Sequence, residues 1–221
     1  MSEATRVEEE YLQTIYRLEK QKGIARTGDI ANLLQVALGT VTNTVDRLKK
    51  QELIIHRPYR GVTLTLKGRR IALNIIRKHR VSERFLTDIV KMDWSDVHDA
   101  ACRLEHAMTE DVINPLEEVL GNPKTCPHGN PIPTKNGKIS EEESHPLIEM
   151  KEGTKSFILK VVNEEPNLLR YLQKIDVVPG KRVEVLKKAP FEGLLTIKID
   201  GKKKALSRII ASRVWVKKAV D

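Results

Sequence analysis

The sequence predicts a mostly helical chain that ends in a β-rich domain: a winged helix-turn-helix, then a helical segment, then a small barrel-like β domain. Three observations predict it. Apolar residues recur at helical spacing in successive segments between Glu8 and Leu120, broken by one short β-prone pair around Pro58. Residues 121–148 are rich in Pro, Gly and polar side chains, which marks a boundary and linker. Beyond them the pattern changes to short strand-like runs.

Taken in order, Glu8–Lys20 reads as a helix because Leu12, Ile15, Tyr16 and Leu18 share a face and leave the acidic residues outside. Thr27 is the expected N-cap of a short helix carrying Ile30, Ala31, Leu33 and Leu34, with a break at Gln35–Ala37. In the next helix, Leu38–Gln51, Val41, Val45 and Leu48 lie on one side. At about 100° per residue, Thr40, Asn43, Thr44 and Arg47 point the other way. Leu53–His56 and Val62–Leu66 are strand candidates joined by the Arg57–Gly61 turn, a small wing. Thr65 caps a helix running from Lys67 through Ile71, Ile75, Ile76 and His79 to Ile89. Two more helices span Trp94–Met108 and Glu110–Leu120. The second has an apolar stripe of Val112, Ile113, Leu116, Val119 and Leu120 suited to pairing with a second copy, so a homodimer is expected. After the boundary, Ser156–Val162, Arg182–Leu186, Leu194–Ile199 and Val214–Lys217 read as strands and Asn167–Lys174 as a helix. The domain limits are then 1–73, 74–140 and 151–221, with 141–150 as linker.

Charge is divided along the chain. Residues 24–80 carry 12 Lys/Arg against 3 Asp/Glu, and residues 149–221 carry 17 against 9, with an acidic region between them. A basic segment of that density suits a phosphate backbone, and clustered carboxylates suit cations. The polar, acidic start offers neither a signal peptide nor a membrane-spanning run, so a cytoplasmic protein with no membrane partner is expected. Two cysteines, Cys102 and Cys126, are too few for a disulfide framework and are free to act as ligands.

The helix-turn-helix offers Ala37, Gly39, Thr40, Thr42, Asn43 and Arg47 to the outside, a set of small residues, hydroxyls, an amide and a guanidinium that fits the major groove. Asn43 can pair bidentately with adenine, and Arg47 can reach guanine or phosphate. Arg57 and Arg60 on the wing would contact a flanking minor groove or backbone. The plain alternative is a helical hairpin with a solvated face; the basic wing favours double-stranded DNA.

The strongest chemical signal is His98-Asp99-Ala100-Ala101-Cys102-Arg103-Leu104-Glu105-His106. On a helix, 98, 102, 105 and 106 fall within a sector of about 100°, so two imidazoles, a thiolate and a carboxylate converge. His79 and Glu83 form a further i, i+4 pair. Such a set suits a borderline divalent metal. Individually each residue is better read as an ordinary polar or core residue; jointly they point to metal. A catalytic reading, with Cys102 and His106 as nucleophile and base, finds no Gly-rich elbow, Ser nucleophile or H-E-x-x-H helix to support it, so the chain is not expected to be an enzyme. Cys126 and His128 in TCPHGNP read as part of a rigid Pro-rich linker.

With these residues placed, YLQTIYRLE, RKHRVSERFLTDI, VHDAACRLEH and GNPIP resemble the diphtheria toxin repressor family of iron-dependent regulators over essentially the whole chain. The resemblance implies a winged-helix domain, a helical dimerisation domain and an SH3-like C-terminal domain, with two metal sites per protomer. It implies a primary site of Cys102, Glu105 and His106, completed from the N-terminal helix at Glu10, where iron-type members commonly carry Met. It implies an ancillary site of His79, Glu83 and His98, to which the C-terminal domain adds a carboxylate at Glu165. The amide expected beside it falls on Leu168, a departure that leaves Glu164 or Asn167 as alternatives. An anion pocket matches Arg80, Cys126 and Asn130. The implied activity is repression at an operator activated by Fe(II), with Mn(II) as the alternative and Zn(II), Ni(II) or Co(II) as substitutes in vitro. A manganese-type sensor of the same family, or a constitutive DNA-binding protein with a structural metal site, is the competing reading.

Overall fold

A computed structural model describes residues 4–162, 164–191 and 193–219. The chain forms two compact units: Met1–Lys78 with Pro133–Ile139, and His79–Ile132 with Ser140–Asp221.

In the first unit α1 (Arg6–Lys22) begins with a capping box. Thr5 and Glu8 exchange side-chain and backbone hydrogen bonds, which satisfies two of the amides that a helix start leaves open. α2 (Thr27–Leu34) and α3 (Leu38–Lys50) form the helix-turn-helix, with Gln35 in the left-handed region at the turn. Thr27 is the first helical residue rather than the cap; Arg26 stands at the N-cap and gives no side-chain bond. β1 (Ile54–Arg57) and β2 (Gly61–Leu64) make the wing. Val62 also exchanges both backbone hydrogen bonds with Ala25, which ties the wing to the segment before α2. Gly61 is required there: its φ is 128°, and a Cβ would lie 2.6 Å from the Ala25 carbonyl oxygen. The core is the inner face read from the helical periodicity, Leu12, Ile15, Ile30, Val41, Val45 and Leu48, closed by Val62 and Ala72.

α4 (Leu66–Arg84) is capped by Thr65, whose hydroxyl accepts from the Gly68 amide, and it runs on into a π-helical turn, Phe85–Ile89. α5 (Val97–Glu105) is shorter than its periodicity predicts. Asp93 accepts from both the amide and the hydroxyl of Ser95, so residues before Val97 close a turn instead of joining the helix. α6 (Glu110–Val119) buries Ile113 against Val81 and Ile132 and leaves Val112 and Val119 exposed.

The C-terminal part of the second unit is an antiparallel six-stranded sheet in the order β3-β8-β4-β5-β6-β7. Its strands are β3 (His145–Pro146), β4 (Lys155–Val161), β5 (Arg182–Lys188), β6 (Leu195–Ile199), β7 (Lys202–Leu206) and β8 (Val214–Lys218), with α7 (Pro166–Lys174) and α8 (Arg208–Arg213) between them. Ile158, Val161, Leu169, Leu172, Val183, Val185, Ile197 and Val216 fill its core. The four strands and one helix expected from the sequence are present; β3, β7 and α8 are additional. β7 reads Lys-Lys-Lys-Ala-Leu and is an edge strand, where lysines protect open backbone groups and no apolar alternation is needed.

Candidate metal centre

The last turns of α4 present His79 and Glu83 on one face, α5 presents His98, Cys102 and Glu105, and His106 is the C-cap of α5. In the second unit these groups meet. His79 Nε2 lies 3.1 Å from Glu83 Oε1 and 3.2 Å from His98 Nδ1. Cys102 Sγ is 3.8 Å from His98 Nε2 and 3.9 Å from His79 Nδ1. Glu105 Oε2 is 2.6 Å from His79 Nδ1, and its Oε1 is 3.2 Å from His106 Nε2.

The C-terminal domain adds Glu164, whose Oε2 is 3.1 Å from His98 Nδ1. Glu165, expected in that place, is instead the N-cap of α7 and accepts from the amides of Asn167 and Leu168. Pro166 at the helix start fixes this assignment locally, since a proline suits the first helical position and leaves the preceding carboxylate to cap. Asn130, matched by resemblance to an anion pocket, is buried and turned toward Glu164 in this structure. Its amide donates to Val161 O and, at 2.8 Å, to Glu164 Oε1, so it orients the carboxylate. Arg80 donates to Pro131 O.

Cys126 and His128, read from the sequence as linker, are both fully buried beside this group. The TCPHGN segment is a tight turn pinned to β4: Gly129 N donates to Cys126 O, Cys126 N to Asn130 O, and Val161 N to His128 O. Gly129 has φ 84°, and a Cβ would stand 1.8 Å from Leu159 O, so only glycine lets the turn dock. His128 Nε2 is 2.7 Å from Trp94 O, while Nδ1 faces Glu83 Oε1 at 3.4 Å, Glu164 Oε1 at 3.8 Å and Cys126 Sγ at 3.9 Å. Polar turn residues bounded by Pro and Gly carry no sequence sign of burial; only the C-x-H spacing hinted at ligands.

Three overlapping sets therefore bring their donor atoms within 4.8 Å of one another: His79, His98 and Cys102; His79, Glu83, His98 and Glu164; and Glu83, Cys126, His128 and Glu164. The electrostatics fit cations. Burial opposes charge on Glu83, yet hydrogen bonds from His128, His79 and His98 hold its carboxyl well below the usual range. Cys102, Glu164 and Glu83 push His98 up to about 11. Burial raises the Cys102 thiol, but His79 and His98 outweigh it and bring it down to about 7. Burial and the charges of Glu83 and Glu164 hold the Cys126 thiol well above its ordinary value. Glu83 Oε2 is buried with no hydrogen-bond partner, a cost that a bound cation would remove. The donor mixture of imidazole, carboxylate and thiolate fits a borderline divalent ion.

Glu10 lies on α1 in the first unit and accepts from Arg6 Nε at 3.1 Å. On α3, Gly39, Thr40, Thr42 and Asn43 are exposed, as are Ala37 at its N-cap and Arg57 and Arg60 on the wing. Two residues depart from the expected outward face. Thr44 is buried, and Arg47 turns back to pair with the buried Glu8 at 3.0 Å.

Comparison with known proteins completes the picture. Residues 3–62 match the iron dependent repressor N-terminal DNA binding domain, 65–134 the iron dependent repressor metal binding and dimerisation domain, and 145–218 the FeoA domain. The iron-dependent repressor IdeR of Mycobacterium leprae is 35% identical over 197 residues, covering 84% of this chain and 86% of that protein. The diphtheria toxin repressor of Corynebacterium diphtheriae is 34% identical over 204 residues, covering 88% and 89%. A solved manganese-dependent transcriptional repressor in complex with manganese superposes with a TM-score of 0.90 at 30% identity, covering 96% of this chain and all of that one. By domain content, by identity along nearly its whole length and by fold, the chain belongs to the iron-dependent repressor family.

Proposed function

We propose that the chain is a homodimeric transcriptional repressor that binds operator DNA when divalent metal fills its sites, with Fe(II) as the natural ion and Mn(II) as the alternative. The cluster of His79, Glu83, His98 and Glu164, its first two members buried and the others partly so, continuous with Cys102 and Glu105, carries this reading. So many ionisable groups taken out of water, one of them a carboxylate oxygen without a partner, are costly unless cations compensate them.

Each element has a task that follows from its residues. Asn43, Thr40 and Thr42 on the exposed face of α3 read base edges, and Arg57 and Arg60 on the wing hold the phosphate backbone. The exposed Val112 and Val119 of α6 supply the apolar face for a second copy, which sets two recognition helices about one turn of DNA apart. Cys102, Glu105 and His106 form the regulatory ligand set, with Glu10 as the ligand from α1. His79, Glu83, His98 and Glu164 form the ancillary set. A bound divalent ion would supply coordination bonds to these side chains, and so link metal occupancy to DNA binding. Metal and DNA then strengthen each other's binding by the same factor, because coupling is reciprocal.

Operator binding measured with and without each metal tests the reading. Retention of DNA affinity after Fe(II) and Mn(II) are chelated would instead assign a constitutive DNA-binding protein with a structural cluster.

A further inference from the structure

We infer that Glu83 and Glu164 bridge two divalent ions, one held by His79 and His98 and the other by Cys126 and His128, so that the ancillary site is one half of a dinuclear centre. The inference rests on the metal-binding reading above and deepens it.

Two sets of four ligands share both carboxylates. Glu83 sits at the middle. Its Oε1 faces three imidazoles, His79 at 3.1 Å, His128 at 3.4 Å and His98 at 3.6 Å, while its Oε2 has no partner although the side chain is fully buried. One carboxylate oxygen cannot serve three rings equally, but a bridging carboxylate with one oxygen for each ion can. Glu164 is divided in the same way: Oε2 faces His98 at 3.1 Å and Oε1 faces His128 at 3.8 Å. Asn130 holds that carboxylate from the side at 2.8 Å.

The second half is preset for a cation. With His128 Nε2–H donating to the Trp94 carbonyl, neutral imidazole turns the Nδ1 lone pair toward Glu83, Glu164 and Cys126. Four donor atoms then face one another, three of them on fully buried residues, an arrangement that a proton or a metal ion between them would satisfy. Binding of the second ion would break the Cys126 S–H bond, with the sulfur bound to metal and the proton released to solvent. The second ion would also tie the TCPHGN turn, the Trp94 segment and the end of β4 into one body.

The test uses the full-length protein with Cys102→Ser, so that Cys126 is the remaining thiol. Titration with Co(II) should develop a near-ultraviolet thiolate-to-cobalt charge-transfer band. Further replacement by Cys126→Ser should abolish the band and lower bound metal by one equivalent, whereas His98→Ala should lower bound metal and keep the band. In the Mn(II)-loaded protein carrying Cys102→Ser and His106→Ala, which disables the regulatory set, electron paramagnetic resonance should show the six-line signal of isolated Mn(II) give way to an exchange-coupled spectrum. That measurement needs no change at Cys126 and stands even if Cys126→Ser fails to fold. Absence of the charge-transfer band, or Mn(II) ions that remain magnetically isolated at full loading, would overturn the dinuclear assignment. Metal-dependent operator binding by the wild type, read in parallel, stands or falls separately.

Discussion

His79 Nδ1 lies 2.6 Å from Glu105 Oε2, with both side chains buried, so one imidazole joins the ligand set around Cys102 to the set around Glu83. A ring that offers Nε2 to a metal and donates Nδ1–H to a carboxylate is oriented and made more basic by that carboxylate.

Glu105→Gln should therefore weaken metal at two places. It removes a ligand proposed for the regulatory set, and it should lower affinity at the His79 set by about 10–100-fold through the lost carboxylate. Calorimetric titration with Mn(II) should show both classes of site weakened, while His106→Ala weakens one. A His98-dependent class that is unchanged by Glu105→Gln would refute the coupling.

The same contacts set a pH dependence. Burial opposes charge on His79, but Cys102, Glu105 and Glu83 outweigh it and hold its pKa well above 6.5; His98 is pushed up to about 11. For groups raised on folding, the stability gained is fully present below about 6.5 and lost as pH rises through the folded value. Glu83, held well below 4.5, contributes above 4.5 and loses its contribution as pH falls through its folded value. The metal-free protein should thus melt at progressively lower temperature as pH rises toward about 11. Metal uptake at neutral pH must displace protons from His79 and His98. Calorimetry in buffers of different ionisation enthalpy should show net proton release, and a binding heat independent of buffer would contradict it.

Much of this was legible in the sequence because periodicity reports burial. Val41, Val45 and Leu48 on α3 are a one-face pattern and fold as such, and of the four polar residues on one face of α5, His98 and Cys102 come together with His79. What was not legible depends on contacts between distant segments. Whether Glu164 or Glu165 joins the cluster is decided by the capping of α7 at Pro166, a one-residue distinction beyond the reach of spacing. Cys126 and His128 are buried because Gly129 docks against Leu159, beside the register shift between Ile158 and Lys160 in β4. Arg47 looks outward on a helical wheel, yet a buried Glu8 in another helix captures it.

DNA recognition should divide by residue. Asn43→Ala should relax sequence preference, whereas Arg60→Ala should weaken binding to all sequences alike. If a dimer neutralises roughly six to ten phosphates, affinity should fall by about three to five orders of magnitude between about 50 and 200 mM salt. Arg47→Ala should lower the stability of the winged unit by about 0–1 kcal/mol, since the guanidinium is half exposed. Fluorescence anisotropy on operator and scrambled duplexes separates these outcomes, and a change of sequence preference on Arg47→Ala would show that the pair with Glu8 opens on DNA.

Gly129→Ala tests the turn that carries Cys126 and His128. With φ at 84° and a Cβ 1.8 Å from Leu159 O, the turn has to shift, which should cost more than about 1 kcal/mol in denaturant unfolding and weaken metal binding at Cys126. Gly121→Ala, with positive φ but nothing within 4 Å of its Cβ, controls for backbone strain alone. Equal effects from the two would remove the docking argument.

As a proposed ligand, Glu10 bears on the choice of metal. A carboxylate in place of the thioether that the family resemblance implies would add charge and a hard oxygen, which favours Mn(II) and Fe(II) over softer ions, while Cys102 favours the softer ones. The thiol of Cys102 is drawn down to about 7 by His79 and His98 after burial is overcome, so much of it is thiolate near neutral pH and ready to bind. Together these donors should keep Fe(II) ahead of Mn(II) in activating DNA binding, with Zn(II), Ni(II) and Co(II) active in vitro. The competing view is that Glu10 only caps charge on α1 through Arg6. Glu10→Ala separates the two: it should weaken metal activation many-fold while leaving thermal stability and the His98-dependent ion in place. Arg6→Ala, which removes the ion pair and keeps the carboxylate, should leave activation intact. Glu10→Met should restore activation by Fe(II) or Ni(II) better than by Mn(II). If Glu10→Ala leaves the metal titration of DNA binding unchanged, Glu10 is not a ligand, and the link from α1 to Cys102, Glu105 and His106 has to be withdrawn.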